Sequence, residues 1–360
     1  EDTVLPRRLV DIMSEFYDLG RVQDVYEIFG GYVNRSYRLV VQRAGVRNDY
    51  FLREYQPGIT EDQIKFEHAL INHCAARGFT FAAQVIASRH GATYIKPDKN
   101  EGYMAVFEFL EGEDKYAWNN PALNCEELVS ASRMLANFHT AAIGFDPGTS
   151  LRVEPPIREL LPTLRSGFKH YAQTGSESKF HRFFLRHLKN ILMSIENSQV
   201  MEAEASHMPL CAIHCDFHPG NLKYKHNRVV GIFDFDWSRL DLRLFDVCMA
   251  VDYFCSSWDE RNDGDLDLEK AARFLNAYQD QLHQSDGMKP LVAAEINNLP
   301  GMLTAAGLCI INWIVSTYLE DDDLNDDEYL LYLKHSVRLM YSIEKQWRNI
   351  SQMAADLLTQ

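Results

Sequence analysis

The spacing of hydrophobic and polar positions differs between the two ends of the chain. Before residue 110, short β-type runs alternate with turns, at 25–29, 36–41, 50–53, 85–87 and 103–109. One helix interrupts these runs, beginning after a capping-box pattern of Thr60 with Gln63 and ending at Gly78. This part of the chain therefore predicts a small β-rich lobe that contains one helix.

After residue 110 the pattern is mostly helical. Apolar residues recur at steps of three and four in four segments, 128–142, 180–195, 268–282 and 330–347. A hairpin pattern over 222–235 is embedded among these helices, and the chain turns polar at 109–114. We therefore expect an α+β protein with a β-rich N-terminal lobe, residues 1–110, and a larger, mostly helical C-terminal lobe, residues 111–360.

Composition narrows the class of protein. The 360 residues are 46% hydrophobic and 24% charged, as in ordinary globular proteins, and this length favours two lobes over one core. A formal net charge of −15 argues against nucleic acid as a partner, because phosphate backbones bind cationic surfaces. The most apolar stretch, 302–315, is too short to span a bilayer, so we expect a buried helix and no membrane partner.

Cysteine usage and the start of the chain predict a cytoplasmic protein. The seven cysteines are scattered without a C-x-x-C pair, which is typical of reduced proteins whose thiols pack in the core. The first residues contain no basic region followed by an apolar one, so we expect no signal peptide. Cys215 lies inside the motif described next, where a reactive thiol is an alternative to a packed one.

Residues 214–221 read His-Cys-Asp-Phe-His-Pro-Gly-Asn and carry the strongest chemical pattern. Asp216 and Asn221 can face each other across the Pro-Gly turn, and Asp234 follows on the returning strand of the hairpin. Phosphoryl transfer needs one carboxylate to orient the attacking hydroxyl and accept its proton, and further oxygen ligands to hold Mg²⁺ on the nucleotide. Carboxylate and amide oxygens suit magnesium better than zinc.

The same segment has an alternative interpretation based on its histidines. His214 and His218 are four residues apart, a spacing that suits a pair on a helix or a metal site, and hence a metal-dependent hydrolase. Pro219 with Gly220 opposes a continuous helix at this point, and only His226 offers itself as a third ligand. The pattern therefore favours phosphoryl transfer over a histidine metal site.

Glu67 lies on the apolar face of the predicted N-terminal helix. It follows Ile64 by three residues and precedes Ile71 by four, and a carboxylate there is costly unless a cation pairs with it. Arg53, in the β run at 50–53, is the nearest upstream cation in a strand. The alternative is an exposed strand arginine and a glutamate at the helix edge.

The motif at 214–221 resembles the aminoglycoside phosphotransferase and homoserine kinase branch of the protein kinase-like superfamily. That branch has H-G-D-x-H-P-x-N, with Cys215 here replacing the glycine, and its I-D-F/W-D/E stretch is matched at 232–236 with Phe233 as one extra residue. The resemblance implies a two-lobed kinase-like fold, ATP and Mg²⁺. It further implies that Asp216 is the catalytic base and that Asn221 and Asp234 are magnesium ligands. Asp236 is a weaker candidate for the metal, and Asp246 would brace the loop.

The resemblance extends to the predicted nucleotide side. Gly30, Gly31 and Asn34 match a glycine-containing phosphate loop, G-G-x-x-N-x-x-Y, although two glycines between strands are also an ordinary turn. Arg53 replaces the strand lysine that pairs with a helix glutamate, here Glu67, and arginine is itself a good phosphate ligand. The segment 106–112 resembles the hinge between lobes, which would place two phenylalanines near adenine, Phe107 and Phe109. His139 is interpreted as a packed histidine.

Residues after Asp246 are where this branch commonly binds the acceptor. The resemblance therefore points to Asp252, Trp258 and Asp259, whose acidic groups would suit an amine. A basic stretch between residues 165 and 189 is either a solvated helix face or a wall for a carboxylated substrate. Trp258 and the long helical tail favour the homoserine kinase-like subgroup.

The sequence thus predicts an ATP-dependent O-phosphotransferase. Its substrate is a small hydroxyl-bearing molecule, such as an amino alcohol, a sugar or an aminoglycoside. Only eleven residues separate Asp234 from Asp246, which leaves little room for the peptide-docking platform of a protein kinase. The alternative is a catalytically weak nucleotide-binding regulator, suggested by Arg53 and Cys215.

Overall fold

The computed structural model describes residues 7–28, 34–99, 101–119, 121–150, 152, 154–174, 177–320 and 324–358. Its N-terminal part is one antiparallel sheet in the order β1-β2-β3-β5-β4, with two helices. The elements follow the chain as α1 Arg7–Phe16, β1 Arg21–Ile28, β2 Arg35–Arg43, β3 Val46–Glu54, α2 Glu61–Ala76, β4 Val85–Ile86 and β5 Met104–Glu108. Gly30 and Gly31 of the predicted phosphate loop lie outside the described residues.

The two faces of this sheet are buried against different partners. Alternate residues of the strands, such as Leu39 and Val106, pack with Ile12 of α1 in a separate small core. Phe107 belongs to the opposite face, and with α2 it joins the main core of the molecule. Helix α1 was not predicted, so the sequence-based picture of this lobe was incomplete.

Helix α2 begins and ends as its sequence predicts. The Thr60 side chain accepts a hydrogen bond from the backbone of Gln63, and the Gln63 side chain accepts one from the backbone of Thr60, so the capping box is confirmed. Gly78 adopts a φ of +87°, the left-handed conformation that commonly terminates a helix. The chain after α2 therefore returns to the sheet through a short connection.

The C-terminal part is mostly helical, with two small two-stranded sheets, β6 with β9 and β7 with β8. Its elements are α3 Cys125–Ala141, α4 Ile157–Thr174, α5 Lys179–Asn197, α6 Glu202–Ala205, β6 Leu210–Ile213, β7 Leu222–Lys225, β8 Arg228–Ile232, β9 Arg239–Leu242, α7 Arg243–Cys255, α8 Leu268–His283, α9 Ala293–Glu320, α10 Asp326–Lys345 and α11 Trp347–Asp356. The predicted helix 330–347 is in fact two helices, because α10 ends before Gln346. The predicted hairpin ends earlier than expected, at Ile232.

Helix α9 runs through the middle of this lobe. Among the described residues it is the one helix long and apolar enough to cross a bilayer, but 72% of its most apolar stretch is buried inside the protein. It packs against α7, α10, α5 and α4, so its apolar surface faces neighbouring helices. The prediction of a buried core helix over 302–315 is confirmed.

Candidate active site

The loop after β6 presents Asp216 on a rigid turn. The 3₁₀ turn Pro219–Asn221 follows it, and the His218 ring caps this turn by accepting a hydrogen bond from the Gly220 N–H at 3.0 Å. The Asn221 side-chain amide donates both to the Asp216 backbone carbonyl and to Asp216 Oδ2, each at 2.9 Å. The predicted pairing of Asp216 with Asn221 is therefore present, and Asn221 keeps its amide oxygen for another partner.

Asp216 is held in its charged form. Burial opposes ionisation, but His218, whose Nε2 lies 3.4 Å from Asp216 Oδ2, together with His214 and Asn221 outweighs it and keeps the pKa of the carboxyl below its usual value. An ionised carboxylate accepts hydrogen bonds only, so it can orient a hydroxyl that donates to it. This is the behaviour that a catalytic base for a hydroxyl nucleophile requires.

Asp246 on α7 braces the loop from behind. Its two carboxylate oxygens accept hydrogen bonds from the backbone N–H groups of His214 at 2.9 Å and Cys215 at 2.8 Å. The same carboxylate bonds His139 Nε2 at 2.9 Å, and His139 Nδ1 meets the Tyr278 hydroxyl at 2.7 Å. All of these groups are buried, so His139 is the packed structural histidine that the sequence predicted.

Cys215 has a backbone conformation that explains the usual glycine at its position. Its φ is +65°, a region that side chains other than glycine rarely adopt. This conformation accompanies the hydrogen bond from the Cys215 N–H to Asp246. The thiol itself is buried, and burial raises its pKa far above the ordinary value, so it is a packed thiol and not a reactive one.

The histidines of the motif have partners within the protein. His214 Nε2 lies 3.0 Å from the carbonyl of Phe233, and His218 is engaged with Gly220 and Asp216. In the described part of the chain, no group of three or more His, Cys, Asp or Glu side chains is arranged to hold a metal by itself. A cation at this site would need the amide oxygen of Asn221 and phosphate oxygens, as Mg²⁺ commonly does in nucleotide sites.

Asp234 and Asp236 lie in the loop after β8, next to Asp216. Burial raises the pKa of Asp234, Arg53 opposes this, and the nearby charge of Asp216 raises it again. Burial and the charge of Asp234 raise the pKa of Asp236 to about 7. Asp236 Oδ1 is buried and has no hydrogen-bond partner among the described residues. The raised pKa values of Asp234 and Asp236 beside Asp216, and the orphaned oxygen of Asp236, fit a divalent cation whose other ligands would be the Asn221 amide oxygen and phosphate oxygens.

The N-terminal lobe reaches this acidic site through Arg53. On β3, Arg53 is 5% exposed and donates from Nη1 to Glu67 Oε1 at 3.0 Å, which confirms the predicted ion pair with α2. Its other nitrogen, Nη2, donates to Asp234 Oδ1 at 2.8 Å. Tyr55 donates to the second oxygen of Glu67 at 2.8 Å. One guanidinium therefore joins the helix, the sheet and the acidic loop.

Asn34 and Phe107, which are also predicted for the nucleotide, lie near this contact, with the Arg53 guanidinium 5.7 Å from the centre of the Phe107 ring. Asn34 donates to Asp236 Oδ2 at 2.8 Å and accepts from the backbone of Gln56 at 3.1 Å. Phe107 is buried with its ring against Phe51, at a centroid distance of 6.2 Å. Phe109 is half-buried, with the Arg38 guanidinium 4.9 Å above its ring. Asn34 is thus part of the acidic site, and the two phenylalanines have different surroundings.

A group of aromatic side chains from the C-terminal lobe flanks the loop that carries Asp216. The ring of Trp118 lies 4.5–6.3 Å, centroid to centroid, from each of four others. We call this group the aromatic cluster; its members are Trp118, Tyr253, Trp258, Trp313 and Tyr332. The Tyr253 ring is 5.3 Å from the His218 ring, centroid to centroid, and a Cβ at Gly220 would lie 3.3 Å from the backbone nitrogen of Trp118. The cluster therefore borders the loop that carries Asp216, and four of its five members are partly exposed.

The sequence pointed to Trp258 as a candidate site residue, but it did not predict that the Trp258 ring meets those of the other four members. Its members come from the segment after β5, from α7, from the loop after α7, from α9 and from α10. No local spacing links these positions, so the sequence held no signal for their meeting. Asp259, predicted beside Trp258, is exposed on the same loop.

Asp252 is placed in the interior. It is 1% exposed, and neither carboxylate oxygen has a hydrogen-bond partner among the described residues. It lies against α9, where its Oδ2 would be 3.5 Å from a Cβ at Gly307. Burial raises its pKa well above the ordinary 3.8, because the interior disfavours the charged form of a carboxyl for which the described residues supply no partner. Its predicted role in binding the acceptor stays a prediction.

The burial of Asp252 gives a test through pH. The pKa of Asp252 is higher in the folded protein than in the unfolded chain. Below about pH 4 the carboxyl is protonated in both states and costs no stability, but as the pH rises above this value the folded state becomes less stable. Asp252→Asn should therefore gain stability over the wild type by up to about 1.4 kcal/mol per pH unit above pH 4. Urea unfolding at several pH values measures this, with exposed Asp259→Asn as the control. A pH-independent difference, together with a raised KM for the acceptor, would support substrate binding instead.

Comparison with known proteins places these features in a family. The model of the phosphotransferase enzyme family matches residues 24–290. The homoserine kinase of Bradyrhizobium sp. (strain ORS 278) is 27% identical over 306 residues, covering 83% of this chain and 82% of that protein. The homoserine kinase of Cupriavidus pinatubonensis is 27% identical over 299 residues, covering 81% and 80%.

Solved structures show the same fold. A microcompartment-associated aminopropanol kinase has a TM-score of 0.65 at 13% identity, covering 96% of this chain and 98% of its own. Choline kinase from Cryptosporidium parvum has a TM-score of 0.64 at 15% identity, covering 98% of each chain. A spectinomycin phosphotransferase in complex with ADP and spectinomycin has a TM-score of 0.63 at 14% identity, covering 94% and 98%. The two-lobed α+β fold of kinase-like phosphotransferases is therefore confirmed.

Proposed function

Because the chain belongs to the phosphotransferase enzyme family and is an ATP-dependent small-molecule kinase, we propose that it phosphorylates the hydroxyl of a small amino alcohol. The observation that carries this proposal is the aromatic cluster beside the loop that carries Asp216. Aromatic faces attract ammonium groups, and they do so most strongly where water is partly excluded. A protein with a net charge of −15 also favours a cationic substrate over an anionic one.

The site residues have distinct roles in this proposal. Asp216 accepts a hydrogen bond from the acceptor hydroxyl, orients it toward the γ-phosphate and takes its proton. Asn221 and Asp234 would hold Mg²⁺, with Asp236 as a further carboxylate, and the cation would neutralise the phosphate charge. Arg53 would contact phosphates while Glu67 keeps it in place. Residues 1–110 and 111–360 are the proposed lobes on either side of the nucleotide.

The names of the relatives agree with the proposal that the phosphoryl acceptor is an amino alcohol. Homoserine, choline and aminopropanol, on which the similar kinases act by name, each combine a hydroxyl with a nitrogen cation. The homoserine kinase-like subgroup remains the favoured proposal because those relatives align with most of this chain. A cytoplasmic location also remains a prediction.

The proposal is tested by measuring Mg²⁺-dependent ADP release with matched acceptors. The panel contains L-homoserine, aminopropanol, choline, galactose and spectinomycin, and propanediol serves as the amine-free counterpart of aminopropanol. We expect the highest kcat/KM with an amino alcohol, and a loss of about three- to thirtyfold when the amine is removed, from the size of cation–π interactions. Equal rates with propanediol, or preference for galactose, would contradict it.

The catalytically weak regulator remains as the alternative. Two departures from the family pattern, Arg53 and Cys215, suggested it. The hydrogen bonds of Asp216 with Asn221 and of Arg53 with Asp234 speak for an assembled site. Nucleotide binding that is tight and Mg²⁺-dependent, but without turnover of any acceptor in the panel, would favour the regulator.

A further inference from the structure

Trp258 is carried by a loop that is closed on itself. This segment, residues 256–266, which we call the Trp258 loop, joins α7 to α8. Its two ends pair through a bridge between Ser256 and Leu266, and the Ser257 N–H donates to the Asp265 carbonyl at 2.9 Å. The two ends of the loop are therefore held together, and the direction of the Trp258 indole depends on how the loop is attached to the rest of the lobe.

His335 on α10 attaches the loop at three points. Its ring is stacked on the Trp258 indole, with centroids 3.6 Å apart and planes 8° from parallel. Its Nδ1 lies 2.7 Å from Asp263 Oδ1, and its Nε2 lies 3.2 Å from Ser256 Oγ. His335 is buried, and the partners in these three side-chain contacts all belong to the Trp258 loop. The hydrogen bonds fix the plane of the imidazole, and the stacked imidazole fixes the plane of the indole.

Two neighbouring contacts hold the same loop against α10. Asp263 also forms an ion pair with Arg338, one turn after His335. Gly264 adopts a φ of +82°, and a Cβ there would come within 2.8 Å of the His335 carbonyl oxygen. The absence of a side chain at residue 264 therefore lets the loop backbone lie directly on α10. With the loop packed against α10 in this way, the Trp258 ring faces the Trp118 ring.

We propose that His335 is a positioning residue for acceptor binding, acting through Trp258. This rests on the proposed function, in which the aromatic cluster binds the acceptor. A free indole can rotate about two side-chain bonds, so an indole that is already fixed binds a ligand without losing that freedom. Within the described part of the chain, the hydrogen bonds and the ring stack of the His335 side chain are with the Trp258 loop, and none is with Asp216 or Arg53. Removal of His335 therefore weakens acceptor binding and leaves the chemical step unchanged.

Two substitutions separate the stack from the hydrogen bonds. His335→Asn removes the ring but keeps a polar side chain, whereas His335→Phe keeps a ring and loses both hydrogen bonds. We expect His335→Asn to raise the acceptor KM by about two- to tenfold, the size of one aromatic pair, with kcat and the KM for ATP unchanged within about twofold. His335→Phe should recover part of the loss, because it restores the stack but not the hydrogen bonds that fix the plane of the ring. The control is His187→Asn. His187 lies on α5, and its imidazole contacts the hydroxyl of Tyr341 on α10, outside the Trp258 loop.

A double-mutant cycle decides whether His335 acts through Trp258. In the Trp258→Ala background, His335→Asn should have no further effect on the acceptor KM, because the ring that it positions is gone. The acceptor is whichever compound of the panel the wild type turns over, sugar or amino alcohol. An equal rise in KM in both backgrounds, or a fall in thermal stability with KM unchanged, would overturn the proposal.

A second readout makes the test independent of turnover. In protein labelled with 5-fluorotryptophan, the ¹⁹F resonance that disappears in Trp258→Phe belongs to Trp258. His335→Asn should shift or broaden this resonance and leave those of Trp313 and Trp347 in place. An unchanged Trp258 resonance would overturn the positioning role. A shifted resonance in a protein that phosphorylates nothing in the panel would instead count against the proposed function alone.

Discussion

Asp216→Asn should fold normally and bind nucleotide, yet lose turnover by about two to four orders of magnitude, as expected for loss of a general base. The wild-type carboxylate is ionised and fixed by Asn221 and His218. An asparagine in the same place fills the same volume and is neutral, so it cannot take the proton of the acceptor hydroxyl. Steady-state kcat, nucleotide affinity and thermal stability of the purified variant measure the three parts of this expectation.

The control for this variant is Asp280→Asn, an exposed aspartate on α8 outside the site. It makes the same chemical change and should leave kcat unchanged. Turnover by Asp216→Asn at the wild-type rate would remove Asp216 from the mechanism. A variant that loses both nucleotide affinity and stability would show instead that Asp216 mainly holds the loop together.

Arg53→Met should lower the free energy of unfolding by about 3–5 kcal/mol and raise the KM for ATP. The guanidinium pairs with Glu67 and Asp234 at the same time, so its removal leaves two carboxylates without their cation, and Glu67 is fully buried in the protein. Methionine has a similar length and no charge, so the loss reports on pairing more than on packing. Urea unfolding monitored by tryptophan fluorescence gives the stability difference.

A neighbouring arginine provides the matched comparison. Arg38 lies on β2 in the same sheet and pairs with Asp49, but both partners are partly exposed. Arg38→Met should therefore cost no more than about 1 kcal/mol. Arg53→Lys should fall between wild type and Arg53→Met, because an ammonium group is a point charge that lacks the fork of the guanidinium. Equal losses for Arg53→Met and Arg38→Met would mean that the buried pairing adds no stability.

Local patterns in the sequence predicted those parts of the site whose residues are close in the chain. Asp216 and Asn221 are five positions apart, and a turn between them is enough to bring them together. The pairing of Arg53 with Glu67 followed from a physical cost, that of a charge on the apolar face of a helix, and needed no knowledge of the fold. The capping box of α2 could be predicted because its residues are close in the chain, with two hydrogen bonds that span only three residues.

Contacts between distant segments could not be predicted in this way. Arg53 reaches Asp234 across 181 positions, and His335 reaches Trp258 across 77. The aromatic rings around Trp118 meet only because α7, α9 and α10 pack side by side. Trp118 itself lies in a connecting segment without helical or strand periodicity, so nothing in its surroundings marked it as part of a site.

The buried chain from Tyr278 through His139 to Asp246 has a consequence for movement during turnover. It joins α8, α3 and α7 to the backbone at His214 and Cys215 by hydrogen bonds that water does not reach. The residues that lead into Asp216 can therefore shift only if three helices shift with them. If the nucleotide binds between the lobes as proposed, we expect its entry and the release of product to involve movement of the β-rich lobe while Asp216 stays in place.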